Sequence, residues 1–391
     1  MILLVGAILV TNQAAAQDKK KADIFERFKK PMPELPAMSP EEFRKETRLV
    51  SKKPYGKKEL AYSMRIDKDW IEAADKTSAN FMLSKKLFLE LSEYYSPPTI
   101  AGRSRIVIEA SNLEGNLTAE QWYIKYILEG GYTTDGFVTH SPNKVESLMV
   151  AVEDDKSYYI RTIVMINGSM VILVKYFVPT AEIQKQAAMQ EQVLASFSLT
   201  HKVKREYPEM DSYRFLDIVE LKYPEGWNIV TTPIRNVDRL KATVLNVHEI
   251  RMVDRNGSER VSKNTKGKLD VLVISATVQN TLVEEIAEFK KKIEADGMLI
   301  GDRIPEEYNF SYADSMDFAI TEVYSGIDTS SGVNDYEFWF TVMVGGNYYY
   351  IVMLLTPSRN DMFADWADNI QNYKRIVANF RPMSGAFVDR E

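Results

Sequence analysis

The chain starts the same module twice. Residues 62–73, YSMRIDKDWIEA, and residues 221–230, LKYPEGWNIV, are short alternating apolar stretches that each run into a tryptophan, Trp70 and Trp227. Apolar–polar alternation of period two marks a half-buried strand. Each stretch is followed by an extended segment rich in Ile, Val and Leu, RSRIVIEASN at 103–112 and KLDVLVISATVQN at 268–280. A helical pattern comes next. In the first copy Leu117, Trp122, Ile124 and Ile127 make an apolar stripe stopped by Gly130-Gly131; in the second, Leu282, Ile286, Phe289 and Ile293 do so up to Gly297.

Both halves then close alike. SYYIRTIVMINGSMVILVKYFVPT at 157–180 and YEFWFTVMVGGNYYYIVMLLTPS at 336–358 each read as strand, tight turn and strand, ending at Pro179 and Pro357. Asn-Gly or Gly-Gly between β-rich runs signals a hairpin, because such turns need positive φ. A last helix follows each, finishing on Phe197 and Phe380. Matched landmarks lie 157 residues apart at the tryptophans, 166 at Gly131 and Gly297, 178 at the prolines and 183 at the phenylalanines. The separation only grows, so order is kept and the second copy carries insertions. IRMVDRNGSERVS at 250–262 reads as one, a hairpin turning at Asn256-Gly257. The pattern is that of an internal duplication.

The expected fold is therefore α+β, with domains at 59–200 and 213–383, a polar linker at 201–212 and a tail at 384–391. The run through YPEGW, the central amphipathic helix, the Asn-Gly hairpin and the phenylalanine-ended last helix resemble the PsbP-like family. That family includes the extrinsic PsbP subunit of photosystem II, Mog-type Ran-binding factors and DcrB-like envelope proteins. The resemblance covers most of the chain and implies, for each domain, an antiparallel sheet flanked by helices on both faces. It implies partner binding in general, with no reactive residue, metal or named partner. The first copy departs from the pattern at Asp67-Lys68-Asp69, where the second has Pro224-Glu225-Gly226.

The N-terminus sets the expected compartment. Residues 2–10 are apolar and AAAQ offers a cut after Ala16, so residues 1–16 read as a cleaved signal peptide and the mature chain as periplasmic or secreted, from a Gram-negative cell. No later stretch approaches the roughly 20 uncharged apolar residues that cross a bilayer. There is no cysteine, hence no disulfide and no thiolate chemistry. Residues 17–58 carry 13 Lys/Arg against 7 Asp/Glu, while the whole chain, 49 against 55, is −6. This segment reads as a basic, Pro-containing leader with one short helix, since Ser39-Pro40-Glu41-Glu42 combines a serine cap, proline at the first position and acids in the first turn. The net charge excludes a general nucleic-acid binder.

Motifs for chemistry are absent. The three histidines, His140, His201 and His248, show no zinc-ligand spacing, and no nucleophile elbow or phosphate-binding loop occurs. No catalytic, cofactor-binding or metal-ligating residue is nominated. The sequence reads as a non-catalytic protein that binds an envelope or secreted protein partner. Two other readings stay open: a small-ligand or lipid carrier using an inter-domain cleft, and a hydrolase with a dispersed site. The aromatic runs Phe338-Trp339-Phe340 and Tyr348-Tyr349-Tyr350 fit either a sheet covered on both faces or an exposed patch. The candidate interface residues are accordingly Trp339, Tyr348 and Tyr350, with Arg255, Asn256 and Arg260 of the inserted hairpin.

Overall fold

The computed structural model describes residues 23–35, 37–73, 88–253, 259–278, 280–305, 309–330 and 333–388. The expected signal peptide at 1–16 and the turn bearing Arg255 and Asn256 lie outside the described residues.

After helix α1 (Pro40–Glu46), the first half contains β1 (Thr47–Lys52), β2 (Tyr62–Asp67), β3 (Ile71–Glu72), β4 (Leu89–Tyr95), β5 (Arg105–Asn112), α2 (Ala119–Gly130), β6 (Thr133–Ser141), β7 (Lys144–Glu153), β8 (Lys156–Asn167), β9 (Met170–Pro179), α3 (Ile183–Ala195) and β10 (Ser198–Leu199). The second half contains β11 (Met210–Phe215), β12 (Val219–Pro224), β13 (Asn228–Thr231), β14 (Arg239–Val253), β15 (Glu259–Ser275), α4 (Leu282–Ala295), β16 (Met298–Arg303), β17 (Phe318–Asp328), β18 (Val333–Gly345), β19 (Tyr348–Pro357), α5 (Phe363–Ala378) and β20 (Arg381–Pro382). Each half forms a seven-stranded antiparallel sheet, ordered β3-β4-β5-β9-β8-β7-β6 in one and β13-β14-β15-β19-β18-β17-β16 in the other. Each adds a three-stranded sheet, β1-β2-β10 or β11-β12-β20. The protein is thus α+β with two tandem sheet domains of one topology.

The registers repeat too. Ser63 pairs with Ser198 where Glu220 pairs with Arg381, which reproduces the separations of 157 and 183 read from the landmarks. The central helices begin in the same way. Thr118 Oγ1 accepts the Gln121 N–H at 3.2 Å while Gln121 reaches back, and Thr281 with Glu284 repeats this capping box.

In each domain one sheet face lies under the central helix, and the other lies under the last helix together with the small sheet. In the first, Trp122, Tyr123, Ile124 and Ile127 of α2 cover Val164, Leu173 and Phe177, while Val193 and Leu194 of α3 join Met64, Ile108 and Val174 on the far face. In the second, α4 packs Phe289 and Ile293 on Phe340 and Met353, and α5 packs Trp366, Ile370 and Tyr373 on Trp339, Val352 and Leu354. Burial on both faces explains why β8, β9 and β19 are almost continuously apolar.

The domains dock through unlike faces. The α2 face of the first domain and the α5 face of the second belong to one continuous core. At their seam Asn116 Nδ2 donates to Asn372 Oδ1 at 2.6 Å, and Asp368 accepts from the Asn116 backbone N–H at 3.4 Å and from Asn372 Nδ2 at 3.2 Å. Gly115 sits against the Asp368 carboxylate with φ +60°, where a Cβ would collide with it. Its equivalent before α4 is Val278, set by aligning the two threonine caps, so the second domain could not present the same seam.

Two crossings hold this docking. Residues 23–30, expected to be leader, form a strap. Phe25 packs edge-on against Phe363 and Trp366 of the second domain, with centroids 5.9 and 5.7 Å apart. Phe28 lies 5.2 Å from Phe137 of the first. Phe137 N–H donates to the Lys30 carbonyl at 2.8 Å, so the strap also caps the β6 edge. Residues 47–52, also placed in the leader, are the strand β1 beside β2. At the linker, Asn167 of the β8–β9 turn donates to the Glu59 and His201 carbonyls and accepts the Val203 N–H, at 2.8, 2.9 and 2.8 Å. Arg375 of α5 donates to the Pro208 carbonyl at 2.8 Å.

Two predictions follow from the docking. Phe28→Ala should cost about 3 kcal/mol, as for other buried phenylalanines, measured by urea unfolding. Burial raises the Asp368 carboxyl above its ordinary range, and the nearby Asp365 adds to this while Lys266 opposes it. A carboxyl raised in the folded state binds protons more tightly there, so its ionisation opposes docking at neutral pH and docking gains as pH falls through the raised value. Asp368→Asn should remove that gain, read as a flatter melting temperature against pH between 7 and 4.

Candidate interaction site

The aromatic candidates do not form a surface. Trp339, Tyr348 and Tyr350 are 0, 2 and 0% exposed, which overturns their reading as interface residues. The two runs are not opposite one another in the hairpin. The turn at Gly346 sets a register in which Trp339 pairs with Leu354 while Tyr348 pairs with Gly345, so the runs occupy opposite ends of the hairpin. The Tyr350 hydroxyl donates to the Gly345 carbonyl at 3.1 Å, and its ring meets Phe380 edge-on at 5.3 Å.

What Trp339 does is hold a buried charge. Its indole N–H donates to Glu337 Oε2 at 3.0 Å and the Trp366 indole donates to the same oxygen at 2.8 Å. Arg359 Nε reaches Glu337 Oε1 at 2.7 Å, and both charged side chains are 2% exposed. The strap closes this network: Asp23 lies 3.6 Å from Arg359, and Phe25 covers its guanidinium at 5.6 Å. Of these residues only Trp339 was nominated from the sequence, and for an exposed interface. The spacing Ile24-Phe25, Phe28 within a charged run was the one available sign that the leader packs.

The inserted hairpin is a free-standing ribbon. β14 and β15 pair without break in partnership from Arg239↔Ile274 to Val253↔Glu259, with a bulge at Asn246/Val247. β13 borders only Leu245 to Ala242, and β19 borders only Lys268 to Ser275. Beyond the bulge no described strand flanks the ribbon, so both outer edges present unpaired backbone groups. His248, Glu249 and residues 261–265 are exposed, and Lys263 pairs with Glu249 at 3.4 Å. The backbone of Arg260 lies here, whereas its side chain and all of Arg255 and Asn256 are outside the described residues. The first domain turns in the same place with the shorter loop 96–104, whose tip exposes Ile100.

A cavity of about 360 Å³ opens elsewhere on the second domain, between β11 and the β13–β14 loop, with Phe215 and Leu240 in its lining. The expected inter-domain cleft is instead filled by the continuous core and the strap. The histidines stay apart, in β6, the linker and β14; His140 contacts Glu146 at 3.1 Å, which also binds Arg161. Among the described residues no cluster of three His, Asp or Glu could hold a metal ion, and no helix is long and apolar enough to cross a membrane.

No protein-family model matches the chain, and no curated protein matches it. Solved structures do. The PsbP protein CyanoP of Synechocystis sp. PCC 6803 is 10% identical with a TM-score of 0.28, over 39% of this chain and 92% of that one. The Saccharomyces cerevisiae Ran-binding protein Mog1p is 11% identical with a TM-score of 0.27, over 39% and 95%. TplEi, a type VI secretion immunity protein of Pseudomonas aeruginosa, is 10% identical with a TM-score of 0.19, over 82% and 94%. Likeness of this degree says nothing about ligand or partner.

The Glu337 network yields a stability prediction. Glu337→Ala leaves the Arg359 guanidinium buried beside two indoles with only the more distant, partly exposed Asp23 as counter-charge, at a cost of about 3 kcal/mol in urea unfolding.

Proposed function

We propose that this is a non-catalytic, secreted or periplasmic protein that binds a protein partner through the β14–β15 ribbon. The ribbon itself carries the reading. A two-stranded hairpin without a third strand or a packed face is marginal on its own in water. This one runs past its neighbours with both edges open and both charge signs along it. Such an edge accepts an added strand through backbone hydrogen bonds, with side-chain contacts setting the choice of partner. The apolar run and small-residue cut at the N-terminus support export. The strap leaves less of the basic leader for an outside partner than the sequence suggested, because residues 23–30 are engaged within the molecule.

The test compares two full-length proteins in crosslinked recovery from the native cell envelope. In the variant, residues 247–265, beyond the bulge, are replaced by an Asn-Gly turn joining Asn246 to Lys266, so that the contacts of Asn246 and Lys266 with Asn369 and Asp365 are kept. The wild type should enrich one defined set of envelope proteins, and the variant should lose that set while keeping its melting temperature. Recovery of the same set by the ribbonless variant would sink the reading.

A further inference from the structure

We propose that the second domain holds a binding site for a small carboxylate with an apolar body, in the cavity between β11 and the β13–β14 loop. The volume of about 360 Å³ lies within the range of small-molecule pockets, roughly 300–1,000 Å³. Its floor is apolar, for Phe215 and Leu240 are 2 and 3% exposed. Tyr213 stands edge-on to Phe215 with centroids 5.0 Å apart and, with Ile234, forms a wall that a ring or short alkyl chain would cover.

The charges around this floor are uneven. Arg239, Lys241 and Arg235 all line the cavity. Arg239 is held by Glu285, whose carboxylate is buried, and lies 3.6 Å from Glu288. Lys241 lies 3.7 Å from Asp270, which Lys268 also meets at 2.9 Å. Arg235 has no ion-pair partner among the described residues, so one exposed positive charge is left over in the lining, beside the apolar floor. A guanidinium fork binds carboxylate through two parallel hydrogen bonds, and it keeps its charge at any physiological pH. The complementary ligand has one carboxylate at one end and hydrocarbon at the other.

The feature belongs to the second copy. At the positions of Tyr213 and Phe215, fixed by the paired registers of β11–β12 and β1–β2, the first copy has Val50 and Lys52. A lysine there would replace the aromatic floor. The loop itself is ordered from within: Asn236 Oδ1 accepts the Asp238 N–H at 2.8 Å, and Asp238 C=O accepts the Ser275 N–H at 2.8 Å. Arg235 is therefore carried on a preformed turn.

Hippurate is the probe, titrated into the full-length protein by calorimetry and by NMR. Saturable binding is expected, and hippuramide, which has the same shape without the charge, should bind at least about tenfold more weakly, as should hippurate with Arg235→Ala. Arg235 is exposed, so the substitution leaves the fold intact. Arg235→Lys should fall between the two. The ribbonless variant should bind hippurate as the wild type does, which separates this site from the partner surface. Absent binding, equal binding of acid and amide, or an Arg235→Ala variant with unchanged affinity would each overturn the site. A doubly capped Ala-Glu-Phe peptide binding more tightly than hippurate would overturn the small-acid assignment in favour of a polypeptide.

Discussion

The docking of the α2 face of one copy against the α5 face of the other is the constraint on which the rest of the molecule depends. Two copies of one topology could pair through like faces, as in a symmetric dimer, or through unlike faces, head to tail. Here the faces are unlike, and the shared core extends through both. Head-to-tail stacking has no natural end, so something must stop it at two. Part of the stop is local. The seam needs Gly115 close to Asp368, and the second copy offers Val278 at the glycine's place. On α3 the positions equivalent to Asp368 and Asn372 are Lys185 and Met189, by the spacing of the terminal phenylalanines, so the first copy cannot supply the other half either.

Most of the polar groups buried at this junction act by direction more than by energy. Glu337 and Arg359 lie in the core at the cost of desolvating both charges, and that cost is offset only while two indoles, Asp23 and each other are in place. Asn116, Asn372 and Asp368 pay similarly at the seam. Asn116 Oδ1 is buried without a hydrogen-bond partner, and Asp368, which accepts the Asn116 backbone N–H, gains a donor when it is protonated. Groups of this kind penalise every misaligned packing by leaving charges or amides unpaired. The strap adds aromatic contacts to both domains and thereby couples its own order to theirs.

Both surfaces with interaction chemistry, the ribbon and the cavity, lie on the second copy, at opposite ends of β14. They arise where the second copy departs from the first: a longer hairpin, and aromatics at two positions of β11. Loop extensions of this sort add little closure entropy and leave the sheet intact. The first copy presents its hairpin as a short loop and takes up the strap and the linker through β6 and Asn167. Asn167 is also part of an Asn-Gly-Ser sequence, but its side chain is occupied at both ends and 3% exposed.

Local periodicity determined much from the sequence alone: both hairpins, both central helices, the capped helix starting at Pro40 and the doubled order of elements were all legible there. Those features depend on contacts between near neighbours, so spacing records them. The growing separations were legible too, since the registers join the same landmarks, whereas the order of strands in each sheet came only from the structure, because β5 meets β9 and β15 meets β19 across long stretches of chain. Tertiary structure alone decided which face each aromatic took. Alternation along Tyr348-Tyr349-Tyr350 cannot say whether a helix covers the sheet, and the answer came from α5, in a different part of the chain. It also decided the fate of Phe25 and Phe28, which find their partners more than a hundred residues away in Phe137, Phe363 and Trp366. The cavity at Arg235 was invisible for that reason as well. It needs β11, a loop and the start of β14 brought together, and a lone arginine in a loop carries no mark of being left without a carboxylate.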